Sequence, residues 1–151
     1  MDANETILAG ARARALELNL PYAGALLPPE AFALGRNLRG AIIVDVRTRA
    51  EWDWVGRIPG AAMIEWSHYP ANVINANFLR QLEMSVARSA AAVMFICRSG
   101  HRSHHAAAAA TAAGYGNCYN ILHGFEGDKD AGGHRNSVGG WRASGLPWEQ
   151  S

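Results

Sequence analysis

One segment constrains the fold of this chain most. It consists of a buried-strand pattern, a short loop that begins with a cysteine, and an alanine-rich stretch. Residues 92–96 are apolar, and residues 103–113 consist mainly of alanine, the strongest helix former. Cys97 lies between them, where the unpaired N–H groups of a helix's first turn stabilise an anion. The segment therefore predicts a thiolate held at the junction of a strand and a helix.

Strand and helix patterns alternate along the rest of the chain. β-branched residues at 42–46 predict a strand buried on both faces. Further strands are predicted over 23–27, 61–65 and 118–122, and further helices over 28–38, 48–54 and 78–88. Because parallel neighbours need crossover helices, this order predicts an α/β fold with a central parallel sheet and helices on both faces. Ligands of such sheets bind beyond the carboxyl ends of the strands, where Cys97 is predicted.

The length of 151 residues suits one hydrophobic core. A helical pattern over 6–19 ends before Pro21, so we expect an N-terminal helical extension at 1–20 and the main domain at 21–151. Residues 124–140 break the alternation and predict an irregular surface loop, after which Trp141 and residues 146–148 return to the domain.

Composition excludes several classes of protein. The net charge of +1 predicts no nucleic-acid patch, and two cysteines are too few for a disulfide framework. The chain does not start with the basic-then-apolar order of a signal peptide, so we expect a cytoplasmic protein. Its longest run of small apolar residues, 106–113, is far shorter than the roughly 20 needed to cross a bilayer, so no membrane span is expected.

In their order along the chain, several short motifs resemble those of single-domain rhodaneses, which are sulfurtransferases. They are Asp45-Val46-Arg47, Ile58-Pro59-Gly60-Ala61, the Cys-x-x-Gly-x-Arg-Ser loop from Cys97 to Ser103, and Gly145-Leu146-Pro147. The resemblance covers roughly 23–148. Three features depart from the family pattern: Arg57 stands where histidine is usual, the 124–140 loop is longer than in minimal members, and the helix before about residue 20 lies outside the domain.

The resemblance implies a double displacement at Cys97. The cysteine takes the outer sulfur of thiosulfate or another sulfane donor, holds it as a persulfide, and passes it to a thiol, to cyanide or to a protein acceptor. Neither a cofactor nor a metal is expected. The sequence specifies neither the natural donor and acceptor nor the oligomeric state or pathway.

The loop residues after Cys97 are the expected substrate contacts. Gly100 permits the turn that aims the loop amides at the sulfur. Arg98 and Arg102 suit the donor's oxyanion as guanidinium forks, while Ser99 and Ser103 add hydroxyl groups and His101 tunes donor binding.

Several of these residues have structural alternatives. Arg102 serves equally well as a clamp on Asp45 or Glu51, and Arg47 is more typical of such a structural role. Cys118 is predicted to be a core residue, with a resolving thiol as the lesser alternative. Consecutive histidines such as His104 and His105 point about 100° apart on a helix, so solvated side chains are favoured over a metal site.

Three rival functions remain open. A cysteine phosphatase or arsenate reductase also holds an oxyanion over a thiolate, but four residues separate Cys97 from Arg102, one fewer than in those enzymes. A non-catalytic rhodanese-like docking module often lacks the cysteine. A sulfur carrier would deliver its sulfur to a partner protein rather than to a small thiol.

Overall fold

A computed structural model describes residues 2–151. Its helices are α1 (Ala3–Glu17), α2 (Pro28–Asn37), α3 (Arg49–Trp54), α4 (Phe78–Ser85) and α5 (His101–Ala112). Its strands are β1 (Gly24–Leu26), β2 (Ala41–Asp45), β3 (Ala62–Met63), β4 (Ser67–His68), β5 (Val73–Ile74), β6 (Ala92–Ile96) and β7 (Cys118–Ile121).

The central sheet has five parallel strands in the order β1-β7-β6-β2-β3. Strand β6 occupies the middle, and all of its residues are buried. Its side chains alternate between two cores: Val93 and Phe95 pack with α4 and α5, whereas Met94 and Ile96 pack with α1 and α2. The predicted α/β fold with helices on both faces of a parallel sheet is confirmed.

Most predicted elements occur, with shifted ends. Thr48 caps α3 in a capping box with Glu51, as its spacing predicts. Helix α5 begins two residues earlier than predicted, at His101, because Gly100 adopts a φ of 108° and ends the loop there. Strand β3 is shorter than predicted, although the N–H group of Ile64 still bonds the β2 carbonyl of Asp45. The sequence analysis assigned no structure to the small antiparallel β4–β5 hairpin.

Helix α1 packs directly against β1. Ala11 and Ala15 are buried, and the Arg14 guanidinium bonds both the Glu30 carboxylate at the start of α2 and the β1 carbonyl of Ala25. The division at residue 20 stays a prediction, but the preceding helix contributes to the core of the domain.

The chain from 124 to 140 contains no helix or strand, as predicted. Trp141 then returns to the core, where it is 1% exposed and its indole N–H donates to the carbonyl of Pro147. No helix in the described part of the chain is both long and apolar enough to cross a membrane.

An ion pair without solvent contact lies at the end of β2. The guanidinium of Arg47 donates to both carboxylate oxygens of Asp45, and both side chains are fully buried. Arg47 also donates to the carbonyl of Gly56 and lies over the ring of Phe125, 4.1 Å from its centroid. These contacts connect β2, the α3 turn and the segment after β7.

We predict that Arg47→Met destabilises the protein by about 3–5 kcal/mol, because the Asp45 carboxylate is left buried without its partner. Urea unfolding measures this loss. Arg49→Met is the matched control: the Arg49 side chain is 83% exposed and its pair with Asp53 is long, at 3.7 Å, so little change is expected. Equal effects of the two substitutions would contradict a structural role for the buried pair.

Candidate functional site

Cys97 follows the last residue of β6 and lines a cleft of about 790 Å³. The residue is 1% exposed, so its sulfur lies deep in the cleft. The cleft is lined by the cysteine loop, by the Thr48 end of α3 and by the β4–β5 hairpin. This is the carboxyl edge of the sheet, where a ligand was expected.

Two groups contact the sulfur. The backbone N–H group of Gly100 donates to Sγ at 3.1 Å, and the Ser103 hydroxyl oxygen lies 3.2 Å from it. The set of loop amides that reaches Sγ is therefore smaller than the ring expected between 98 and 103. Because α5 begins at His101, its first-turn N–H groups have no partner within the helix and are free to hold an anion beside the sulfur.

The chain after β7 holds the backbone of the cysteine loop. The N–H groups of Phe125 and Glu126 donate to the carbonyls of Cys97 and Arg98, at 2.8 and 3.0 Å. Gly124 makes this approach possible, since an added Cβ there would lie 2.5 Å from the Cys97 carbonyl oxygen. The sequence analysis missed this role, although a glycine shortly after a strand can signal a close backbone approach.

Arg102 pairs with Glu51 rather than with Asp45. Its two terminal nitrogens donate to the two carboxylate oxygens at 2.7 and 3.0 Å. Burial raises the pKa of Glu51, but the hydrogen bonds and charge of Arg102 outweigh burial and hold that pKa below its usual range. The pair joins the cysteine loop to α3, while Asp45 is engaged by Arg47.

Arg98, Ser99 and His101 line the cleft, as does His105 one helical turn further along. Arg98 is exposed, and its guanidinium has no hydrogen-bond or ion-pair partner within residues 2–151. The rings of His101 and His105 meet edge to face, 4.9 Å apart. No group of three or more metal-ligating side chains occurs in the described residues.

The ring of His104 meets the ring of His105 edge to face, 5.3 Å apart, but His104 does not line the cleft. Its Nδ1 lies 2.8 Å from the hydroxyl of Tyr22. Burial and the neighbouring histidines lower the pKa of His104, which favours the neutral ring at physiological pH.

Two parts of the site were absent from the sequence analysis. Asn120 of β7 accepts a hydrogen bond from Ser103 and is thereby joined to the sulfur. The β4–β5 hairpin contributes Tyr69, Pro70 and Ile74 to the cleft. Pro70 with the following Asn72, which has a φ of 55°, was the available signal for the hairpin turn.

Cys118 is a core residue, as predicted. It is 0% exposed, and burial raises its pKa to about 11. It pairs with Val93, four residues before Cys97, which places the two cysteines about 13 Å apart along the strands. This separation exceeds the roughly 7 Å limit for a disulfide, so Cys118 does not resolve a bond at Cys97.

Comparison with known proteins places this geometry in one family. The model of the rhodanese-like domain family matches residues 29–131. An uncharacterized protein of Rickettsia rickettsii is 41% identical over 113 residues, which cover 72% of this chain and 83% of that protein.

Two solved structures are similar to this chain. The crystal structure of Rv0390 from M. tuberculosis is 43% identical, with a TM-score of 0.79, and the match covers 86% of this chain and 99% of that chain. The polysulfide-sulfur transferase homodimer of Wolinella succinogenes has a TM-score of 0.60 at 18% identity, over 100% of this chain and 95% of that chain. The second likeness concerns the fold alone.

We predict that the stabilisation supplied by Glu51 is lost in acid. Its folded-state pKa lies below the unfolded value of about 4.3, so the stabilisation is complete above that pH and falls as pH drops towards the folded pKa. Urea unfolding of wild type and Glu51→Gln should therefore give a free-energy difference that shrinks below about pH 4.3.

Arg102→Gln provides the control for this prediction. In that background, Glu51→Gln should lose the same pH dependence or reverse it, because the partner that lowers the pKa is gone. A wild-type difference that stays constant into acid would contradict the proposed role of the pair.

Proposed function

Since the chain belongs to the rhodanese-like domain family, we propose that it is a sulfurtransferase that carries sulfane sulfur on Cys97. The observation that carries the proposal is the position of the Cys97 sulfur. It lies in a cleft, accepts the N–H group of Gly100 and sits beside the first turn of α5. We further propose thiosulfate or a related sulfane as donor, a thiol, cyanide or a protein thiol as acceptor, and a cytoplasmic location.

The reaction has two displacement steps. The Cys97 thiolate attacks the outer sulfur of thiosulfate, the sulfur–sulfur bond of the donor breaks, and sulfite leaves with the bonding pair. Cys97 then carries a persulfide whose charge lies mainly on the outer sulfur. The acceptor attacks that outer sulfur, and Cys97 leaves as a thiolate ready for the next donor.

The two arginines of the cysteine loop have different roles. Both terminal nitrogens of Arg102 are engaged by Glu51, so this side chain positions the loop. Arg98 is exposed at the cleft and has no partner in residues 2–151, so its guanidinium is available for the oxygens of the donor. The N–H groups of the first turn of α5 add further donors for an anion.

The same arrangement argues against phosphatase chemistry. Four residues separate Cys97 from Arg102, one fewer than in the cysteine phosphatases, and the arginine at the end of the loop is occupied by a carboxylate. A smaller loop with its arginine already paired favours a sulfur anion over a phosphate ester.

We predict that Cys97→Ser abolishes thiosulfate:cyanide turnover, since a hydroxyl neither ionises near neutral pH nor forms a persulfide. Wild type treated with thiosulfate should gain the mass of one sulfur atom, and the Cys97→Ser variant should gain none. Cys118→Ala is the matched control and should retain both turnover and mass gain, because Cys118 lies in the core away from the cleft.

Other outcomes of these measurements would favour a rival function. No mass gain in wild type would favour a docking module, and robust hydrolysis of an aryl phosphate would favour a phosphatase. A mass gain whose sulfur passes only to a protein thiol would identify a protein-partnered carrier.

We predict that Arg98→Gln raises the KM for thiosulfate about tenfold, equivalent to roughly 1.4 kcal/mol of lost binding. The reason is that the substitution removes a charged hydrogen-bond donor from the cleft. Steady-state kinetics measures the change. Arg39→Gln is the control. Arg39 is exposed but does not line the cleft, so the KM of this variant for thiosulfate should match that of wild type. An unchanged KM in Arg98→Gln would show that other groups bind the oxyanion of the sulfur donor.

A further inference from the structure

A chain of three buried polar groups ends at the reactive sulfur. Asn120, Ser103 and Cys97 are 3%, 0% and 1% exposed. The Ser103 hydroxyl lies between the other two, 2.6 Å from Oδ1 of Asn120 and 3.2 Å from Sγ of Cys97. Because the hydroxyl has one hydrogen, it can donate to only one of these neighbours at a time.

The orientation of the Asn120 amide decides which neighbour receives that hydrogen. Its Nδ2 donates to the carbonyl oxygen of Gly100 at 3.2 Å, so Oδ1 is the atom that faces Ser103. A reversed amide would set Oδ1 against the Gly100 carbonyl, with two acceptors in contact. The hydrogen of Ser103 is therefore directed to Asn120, and its oxygen presents lone pairs to the sulfur.

This arrangement suits a thiol better than a thiolate. A protonated Cys97 donates its S–H to the Ser103 oxygen, which completes the chain of hydrogen bonds. An ionised Cys97 meets lone pairs on that side and keeps only the N–H bond from Gly100. In a persulfide the charge lies mainly on the outer sulfur, so the lone pairs of Ser103 no longer face the charged atom.

We propose that Asn120 is a positioning residue that holds the hydrogen of Ser103 away from Cys97 and thereby disfavours the free thiolate relative to the thiol and the persulfide. The consequence for sulfur transfer rests on the proposed function: the penalty falls on the free thiolate and not on the persulfide, so it favours the sulfur-loaded state over the free thiolate. The hydrogen-bond geometry itself needs no sulfur donor.

Other charged and titratable groups also face Cys97. The paired Arg102 and Glu51 lie on α5 and α3, and the buried Asp45–Arg47 pair follows β2. The remaining charged and titratable groups line the cleft and are Tyr69, Arg98, His101, His105 and Glu126. Substitutions at 120 and 103 remove none of these groups. Asn120→Leu also removes the bond to the Gly100 carbonyl, so the double variant is needed to isolate the effect of the hydroxyl hydrogen.

The test compares the pH profile of Cys97 alkylation by iodoacetamide in four proteins, all carrying Cys118→Ala. They are the parent, Asn120→Leu, Ser103→Ala and the double variant. Asn120→Leu removes the acceptor and admits no water in its place, so Ser103 turns its hydrogen to the thiolate. We expect its profile to move to lower pH, with alkylation at neutral pH about tenfold faster, which corresponds to about one pH unit.

The double variant distinguishes an effect of the Ser103 hydroxyl on the alkylation profile from an effect of a looser loop. Without the Ser103 hydroxyl there is no hydrogen to redirect, so the Asn120→Leu substitution should no longer shift the profile. A shift that persists in the double variant, or an unshifted profile in Asn120→Leu, would overturn the proposal.

Two further measurements keep the result decisive. Asn120→Val, whose β-branched side chain suits strand β7, replaces Asn120→Leu if thermal unfolding finds the leucine variant unfolded. Thiosulfate turnover of the parent tests the proposed function separately. If turnover is absent but the alkylation profile of Asn120→Leu still shifts, the proposed sulfurtransferase function is wrong and the role of Asn120 stands.

Discussion

The reversal of the backbone at Gly100 is the constraint on which the site depends. Strand β6 brings Cys97 to the edge of the sheet, and the left-handed conformation of Gly100 lets the chain enter α5 at the next residue. The sulfur consequently accepts the N–H group of Gly100 and lies near the free N–H groups of a helix terminus. A side chain at this position would strain that conformation and displace the donors that make an anion tolerable there.

Contacts from three other segments keep the loop in place. Glu51 of α3 binds Arg102, Asn120 of β7 binds both Ser103 and the Gly100 carbonyl, and the backbone after β7 binds the carbonyl of Cys97. One of the three, Asn120, is part of the sheet itself. Because the groups that contact the sulfur are held from several directions, the site needs little rearrangement to receive an anion.

The different roles of Arg98 and Arg102 follow from the same contacts, because Glu51 binds Arg102. From sequence, Arg98 and Arg102 were equally suitable for the donor and Arg102 had two candidate carboxylates. The sequence predicted the cysteine, the helix terminus and the Thr48 cap, because each depends on residues a few positions apart. It did not predict the choice of Glu51 over Asp45, which depends on how α3 and α5 approach each other across β2 and β6.

Local sequence alone determined the α/β class, the parallel sheet and the place of Cys97 at its carboxyl edge, since hydrophobic periodicity and glycine positions act over short stretches. The tertiary structure alone decided the cleft: the β4–β5 hairpin at its rim, the Gly124 approach and the polar chain from Asn120 to Cys97. These contacts join residues far apart in the chain. Their geometry is set by the packing of whole elements, which no short pattern of residues encodes.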